Sequence, residues 1–513
     1  MKKTAVINVP RLEPHRPPPG PATICKVCEL IGHEVSAHDL NIEFFHFCKK
    51  RGADYHGFDQ VWNQVTELDA QQKLIVDDFL EYWCKLIAEK NYDHILLSVF
   101  GQSGNQFAEM FLSKIRPLTT ARIVAGGMGI GVVALTDAED CYGYRLQQRG
   151  LIDDFIVGEG EEAVVKYFQG ITWPGINNTQ LNQLENLDDL PQPDYSYYNL
   201  DDYDYLIPNK KEVYITGSRG CVRKCTYCDV EKFWPKYRYR SGQNIAQEII
   251  HNYETHGITR FYFTDSLVNG SLKAFIDMCE SLANYNFDQP ISWSGQFIFR
   301  EKRTVPKNQF ELMQRAGADI LYVGLETGSD KVRASMGKKF TNEDIDWQLE
   351  ECSRYKIKVV PLLFTGYITE TIEDHHDNLK MFSRWQKYVA DGTITGAELG
   401  SGLLILPGAP VERMIESHGI EFMLDHNNEP GQGLWWSSSN PDLTIEERVR
   451  RKLEVHKTAI QHCWPVWRQT TRLRELKEFI LKNKLNTLAQ KQFYRLISTS
   501  NDQKILEPGR VEN

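Results

Sequence analysis

The sequence predicts an α/β chain: two successive arrays of strands and helices, then a mainly helical C-terminal region. Three observations carry this. Short apolar, β-branched runs alternate with helical patterns along most of the 513 residues, which is the signature of parallel sheets. Several of these runs end in glycine or small polar residues, where a strand gives way to a loop. A stretch rich in Pro, Asn, Gln and Asp, residues 171–210, interrupts the alternation and reads as a linker. The resulting division is a doubly wound domain over 1–170, the linker 171–210, a second α/β array over 211–400 and a C-terminal region over 401–513.

Residues 4–9 (TAVINV) read as a buried first strand, followed by a Pro-rich loop, 10–21. Residues 22–31 read as a helix that Gly32 closes as a C-cap, and 33–38 start a second strand. Residues 44–90 are mostly helical, with Phe79, Trp83, Leu86 and Ile87 at helical spacing. The next strands are 92–100, 121–125 (ending in Gly126-Gly127) and 151–157 (ending in Gly158-Glu159). Ligands bind doubly wound sheets at the C-terminal ends of the strands, so Ser98, Gly126, Gly127, Gly158 and Glu159 are candidate binding residues.

From 211 the strands are 213–216, 260–264, 291–295, 320–325, 358–365 and 397–406, with helices such as 243–256 and 342–355 between them. Polar residues at their ends are Asp265, Ser266, Gln296 and the run Glu326-Thr327-Gly328-Ser329. The tail reads as helical over 442–462 and 471–495; Trp435-Trp436 could face a substrate or cofactor, but buried aromatics are more often plain core. The last helix carries seven Lys or Arg against two Glu, read as a solvated face, with docking to an acidic partner as the alternative.

Composition limits the function classes. Hydrophobic content of 41% and charged content of 25% are those of a globular protein. A net charge of -10 argues against a nucleic-acid-coating surface, and no clear nucleic-acid site is found. No 18-residue apolar run marks a membrane span, and the start MKKTAVINVP is too short for a signal peptide. Eleven cysteines, an odd number, suggest a reducing cytoplasm. Cys25 and Cys28 form a Cys-x2-Cys, which a redox or metal pair would use; Ile24, Val27, Cys28 and Ile31 share one helical face, so the pair reads rather as buried structural cysteines.

Residues 213–229, VYITGSRGCVRKCTYCD, place Cys221, Cys225 and Cys228 in a Cys-x3-Cys-x2-Cys array on a loop after a strand. Three soft thiolates there can hold three irons of a 4Fe-4S cluster and leave the fourth open to a small molecule. Zinc would need a distant fourth ligand, because no second Cys-x2-Cys pair lies nearby. With Tyr227 just before the third cysteine, the motif resembles the radical S-adenosylmethionine superfamily. That resemblance implies a partial (β/α)6 barrel over 211–400. It also implies S-adenosylmethionine chelated at the open iron and cleaved reductively to a 5′-deoxyadenosyl radical. An external electron donor such as flavodoxin or ferredoxin would feed the cluster. Asp265 and Ser266 would contact the amino group of S-adenosylmethionine. Gly324-Leu325-Glu326-Thr327-Gly328-Ser329 would line its ribose and methionine part, and Tyr227 would lie near adenine. For Glu326, a structural salt bridge in the barrel mouth is the alternative. Residues 366–371 (GYITET) lack the Pro-Gly of the family's Gly-x-Pro-Gly-Glu-Thr.

The N-terminal half resembles the Rossmann-like cobalamin-binding domain attached to many such enzymes. Ser98-Val99-Phe100 matches its Ser-x-Leu with Phe substituted, and Gly126-Gly127 matches its second glycine pair. The stretch GLIDDFIVGEGEEAV matches its last strand and turn. Its Asp-x-His-x-x-Gly is missing. Asp54-Tyr55-His56-Gly57 has the wrong glycine spacing, and His15 lacks the Asp two residues before it. The resemblance therefore implies cobalamin without a histidine ligand, with His15 as a lesser candidate and an unliganded domain as the alternative. The implied function is cobalamin-dependent methyl transfer to a carbon of a small-molecule or peptide substrate. One alternative is radical rearrangement, cyclisation or oxidation without methyl transfer; another is an iron–sulfur redox or regulatory protein. The linker is expected to bring the barrel mouth to face the corrin.

Overall fold

The computed structural model describes residues 1–10, 13–58, 67–131, 141–203, 211–400, 402–422 and 436–466. Trp435 and the expected helix 471–495 lie outside these residues. The chain divides into two compact units. One holds Met1–Thr216, Arg238–Arg240 and Gln247–Tyr262, and the other holds Gly217–Tyr237, Ser241–Ala246 and Phe263–Asn513.

The first unit carries strands β1 (Lys3–Asn8), β2 (Glu34–Asp39), β3 (His94–Ser98), β4 (Arg122–Gly126) and β5 (Asp154–Phe155). They form one parallel sheet in the order β2-β1-β3-β4-β5. The order reverses between β1 and β3, where Asn8 pairs with Ser98; such a switch point is where open α/β sheets bind ligands. Two apolar layers cover the sheet. One centres on Phe44, Phe79 and Phe107, and the other takes in Cys25, Cys28, Val124 and Ala163. Burial pushes the Cys28 thiol up to about 12, so this pair is inert packing. An Asp69–Gln72 capping box starts the helix Ala70–Glu89.

The segment read as a linker packs on this unit. Ile176 bridges Ile156 and Asn182 bridges Gly158. Leu187, Tyr195 and Tyr203 are buried, and the Tyr203 hydroxyl donates to Asp39 at 2.8 Å. Residues 171–203 are polar on average, but these apolar anchors recur along them and seat the chain.

The later strands are β6 (Glu212–Ile215), β7 (Ser218–Arg219), β8 (Arg238–Tyr239), β9 (Arg260–Phe263), β10 (Ser292–Phe297), β11 (Ala318–Glu326), β12 (Lys358–Leu363) and β13 (Glu398–Leu399). A six-stranded sheet runs in the order β13-β12-β11-β10-β9-β6, and β10 to β13 are parallel. Helices lie between the strands, including Leu272–Asn284, Asn342–Arg354 and Ile372–Arg384. Asn342–Arg354 and Ile372–Arg384 each start with a capping box. β13 is shorter than the expected 397–406, because Gly400 and Gly402 follow it and glycine weakens strands. Beyond it, an antiparallel pair, β14 (Ile420–Phe422) and β15 (Trp436–Ser438), precedes the helix Ile445–Gln461, so the C-terminal region is less purely helical than expected. Trp436 is core, as its aromatic character suggested: it is fully buried and the Arg448 guanidinium stacks 3.5 Å from its ring centre. Among the described residues no helix is long and apolar enough to cross a membrane.

Candidate functional site

The cysteine loop starts just beyond β6 and is fixed at its root by the end of β9. Asp265 accepts the Gly217 N–H at 2.9 Å and the Ser218 hydroxyl at 2.5 Å. Three contacts hold the loop at Thr226. Its N–H donates to Met336 O (3.1 Å), its carbonyl accepts the Val411 N–H (2.7 Å), and its hydroxyl bonds that of Tyr367 (2.5 Å). Cys225 is buried, and Cys221 and Cys228 are half-buried. The Cys221 sulfur accepts the Arg223 N–H at 3.4 Å.

Burial raises the Cys225 thiol, and burial raises Cys228 to about 11. The other thiols of the motif push both further in the same direction, so the three sulfurs share one electrostatic neighbourhood. Among the described residues no three His, Cys, Asp or Glu side chains close on a single ion. The arrangement is open, and each sulfur would take a different iron. Soft donors, mutual proximity and N–H donors aimed at sulfur fit an iron–sulfur cluster.

Tyr227 and Glu326 come together. The Tyr227 hydroxyl donates to Glu326 Oε1 at 2.8 Å, and Lys338 Nζ donates to the same oxygen at 2.7 Å. Glu326 has φ 64, a left-handed conformation that costs a side-chain-bearing residue about 1–2 kcal/mol. The β11–β12 register slips between Gly324 and Glu326, and the Glu326 carbonyl accepts the Phe364 N–H at 3.0 Å. Glu326 thus takes the ion pair that the sequence reading held as its alternative.

Asp265 is the acceptor at the root of the cysteine loop. Ser266 is exposed beside it. The rest of the Gly-x-Glu segment is pinned: the Thr327 hydroxyl and the Gly328 N–H both donate to Asn378, and the Ser329 hydroxyl donates to Asp374. In GYITET, Glu370 is buried, accepts the Gly366 N–H at 3.1 Å and pairs with Arg451 at 3.1 Å.

In the first unit, Ser98 is half-buried at the end of β3 and pairs with Gly126. A Cβ on Gly126 would stand 3.8 Å from its nearest neighbour, so that position has room. Gly127 has φ 98, and a Cβ there would collide with the Val99 carbonyl. Gly158 has φ 91, and its Cβ would stand 2.5 Å from Asn182 O. At both positions the chain's own backbone makes the close approach. Glu159 is buried, pairs with Arg238 at 2.5 and 3.0 Å and accepts the Leu184 N–H at 2.6 Å. His15 is pushed down to about 3 by burial and then by Arg16 and Arg260, and its Nδ1 is buried without a hydrogen-bond partner. A cavity of about 720 Å³ beside Asn105, Glu109, Lys114 and Arg145 holds none of these candidates. The sequence reading missed Lys338, Arg238 and Arg451, which look in sequence like ordinary surface cations.

Residues 215–382 match the Radical SAM superfamily. This part of the chain is a radical SAM domain. The anaerobic magnesium-protoporphyrin IX monomethyl ester cyclase of Synechocystis sp. is 29% identical over 199 residues, 34% of this chain and 38% of that protein. The chain spans about two fifths of the length of the curated cyclases it matches. The solved structure of the cobalamin-dependent S-adenosylmethionine radical enzyme OxsB with aqua-cobalamin matches with a TM-score of 0.61 and 15% identity, covering 98% of this chain and 74% of that one. The radical S-adenosylmethionine methyltransferase TsrM of Kitasatospora setae, solved with tryptophan substrate and a SAM analog, matches with a TM-score of 0.56 and 16% identity, covering 82% of this chain and 78% of that one. At these identities the two structures speak for the fold around the radical SAM domain.

Proposed function

We propose that this protein is a cobalamin-dependent radical S-adenosylmethionine enzyme that transfers a methyl group to a carbon of a small-molecule or peptide substrate. The observation that carries the reading is a doubly wound sheet with a β1/β3 switch point, in one chain with a radical SAM domain. The fold likeness to OxsB, a cobalamin-dependent enzyme, runs over 98% of the chain and so takes in both parts.

Cys221, Cys225 and Cys228 would hold the cluster, giving up their protons as they bind iron. Asp265 and the contacts at Thr226 fix the loop so that the thiolates are in place beforehand. The ends of β9 to β12, where barrel enzymes build their sites, would receive S-adenosylmethionine and substrate, with Ser266, Tyr227 and Glu326 nearby. The Asn8–Ser98 switch point and Gly126 would receive cobalamin. When bound, the cluster and S-adenosylmethionine supply one-electron chemistry and hydrogen-atom removal, and cobalamin supplies a methyl carrier. An external one-electron carrier would reduce the cluster. All eleven cysteines are free thiols, which supports a reducing, cytoplasmic setting.

The test is anaerobic turnover of reconstituted protein with S-adenosylmethionine, cobalamin, a reductant and candidate substrates. S-adenosylhomocysteine formed alongside 5′-deoxyadenosine supports methyl transfer. Formation of 5′-deoxyadenosine alone favours a second reading, ring closure or another radical reaction without methyl transfer, for which the cyclase relative speaks. Formation of neither, with the cluster intact, returns the chain to an iron–sulfur redox or regulatory role.

A further inference from the structure

Helix Asp330–Ser335 leads out of β11 and ends at Met336, Gly337 and Lys338, and this exit is wrapped around the cysteine motif. Met336 O accepts the Thr226 N–H. A Cβ on Gly337 would stand 3.9 Å from the Cys225 Cα and 3.3 Å from Lys224 O. Lys338 then turns inward and is 7% exposed. Its Nζ donates to Glu326 Oε1 and to Gly324 O, both at 2.7 Å. Tyr227, two residues beyond Cys225, donates to the same Glu326 oxygen. Gly324 leaves the room for this pair: a Cβ there would collide with Glu326 Oε1 and stand 2.8 Å from Lys338 Nζ.

A buried ammonium–carboxylate pair is weak evidence for stability, because desolvation offsets the attraction. Beside a metal cluster it has another effect, since charges and hydrogen bonds around the sulfurs set the potential. Lys338 follows Gly337, which lies against Lys224 and Cys225, and Glu326 meets the motif through Tyr227. A reduced cluster carries one more electron than an oxidised one, so a positive charge beside it stabilises the reduced form and a negative charge opposes it.

We infer that Lys338 is a positioning residue that raises the reduction potential of the cluster held by Cys221, Cys225 and Cys228, with Glu326 as its opposing partner. This rests on those cysteines binding a four-iron cluster, which the iron content of the unaltered protein tests separately. Lys338→Met, Lys338→Arg and Glu326→Gln are reconstituted anaerobically and titrated with dithionite, the one-electron source, while the reduced cluster is followed by electron paramagnetic resonance. Lys338→Met is expected to lower the potential by a roughly tenfold change in the reduction equilibrium, about 59 mV for one electron. Glu326→Gln is expected to raise it, and Lys338→Arg to leave it near the unaltered value. A purely structural clamp would move both variants the same way or neither, and either result overturns the inference. If Lys338→Met holds no iron, the other two variants decide: no upward shift in Glu326→Gln, or a downward shift in Lys338→Arg, overturns it. Unaltered protein without iron would sink the cluster assignment itself.

Discussion

Replacing Glu159 with Gln separates two roles for a residue at the end of the first sheet. As a cofactor contact, its loss would weaken cobalamin binding and leave the fold alone. The structure makes it the carboxylate of a buried ion pair, with side chains 1% and 8% exposed for Glu159 and Arg238. Both oxygens engage the guanidinium, at 2.5 and 3.0 Å, and one also accepts the Leu184 N–H. Unit charges about 3 Å apart attract by roughly 5 kcal/mol at an effective dielectric of about 20. Removing one partner of a buried pair costs about 3–5 kcal/mol, because the other charge stays buried uncompensated. Gln keeps one acceptor, so a loss near the lower end, about 3 kcal/mol, is expected. With a urea slope of about 2 kcal/mol/M, the midpoint of the first unit's transition falls by roughly 1.5 M. Urea titration followed by tryptophan fluorescence measures it, with cobalamin affinity measured in parallel. An unchanged midpoint together with lost cobalamin binding would refute the structural assignment.

Three further outcomes follow from the same geometry. Gly127→Ala should destabilise the first unit by about 1–2 kcal/mol or more from its positive φ alone, whereas Gly126→Ala, whose Cβ would make only ordinary contact with Ile156, should stay within about 1 kcal/mol; thermal melts of the pair check the contrast. Iron uptake under limiting iron should rise from pH 6.5 to 8.5, because burial raises the Cys225 and Cys228 thiols, Cys228 to about 11, and protons compete with iron less as pH approaches those values; colorimetric iron assay reads it, and a flat profile counts against thiolate ligation. Cys25→Ser and Cys28→Ser should leave iron content unchanged while costing about 1–3 kcal/mol each, since a hydroxyl replaces a thiol in a dry layer.

The features legible in the sequence were local ones. β1, β3, β4 and β12 show as apolar runs because burial on both faces leaves few polar positions in a parallel strand. The cysteine motif is legible because its spacing lies within eight residues. What escaped the reading is set by residues far apart in the chain. Arg238 reaches Glu159 across 79 residues, and Tyr227 reaches Glu326 across 99. Nothing in Gly337-Lys338-Lys339 says which lysine turns inward. The two glycines that end and follow β4 look alike in sequence, yet only the second lies against the Val99 backbone, which belongs to the segment after β3.

Asp265 shows how the two kinds of information combine. Its position at a strand end and its charge mark it as an acceptor, and in the structure it accepts two hydrogen bonds. Its partners are the Gly217 N–H and the Ser218 hydroxyl, which begin the loop bearing the three cysteines. A carboxylate anchored at the end of β9 therefore sets where that loop starts, while Met336, Val411 and Tyr367 set its middle. Position along the cysteine loop is thus dictated by the strands and exits around it, which is what a metal site with ligands on a single short loop requires if its geometry is to be fixed before the metal arrives.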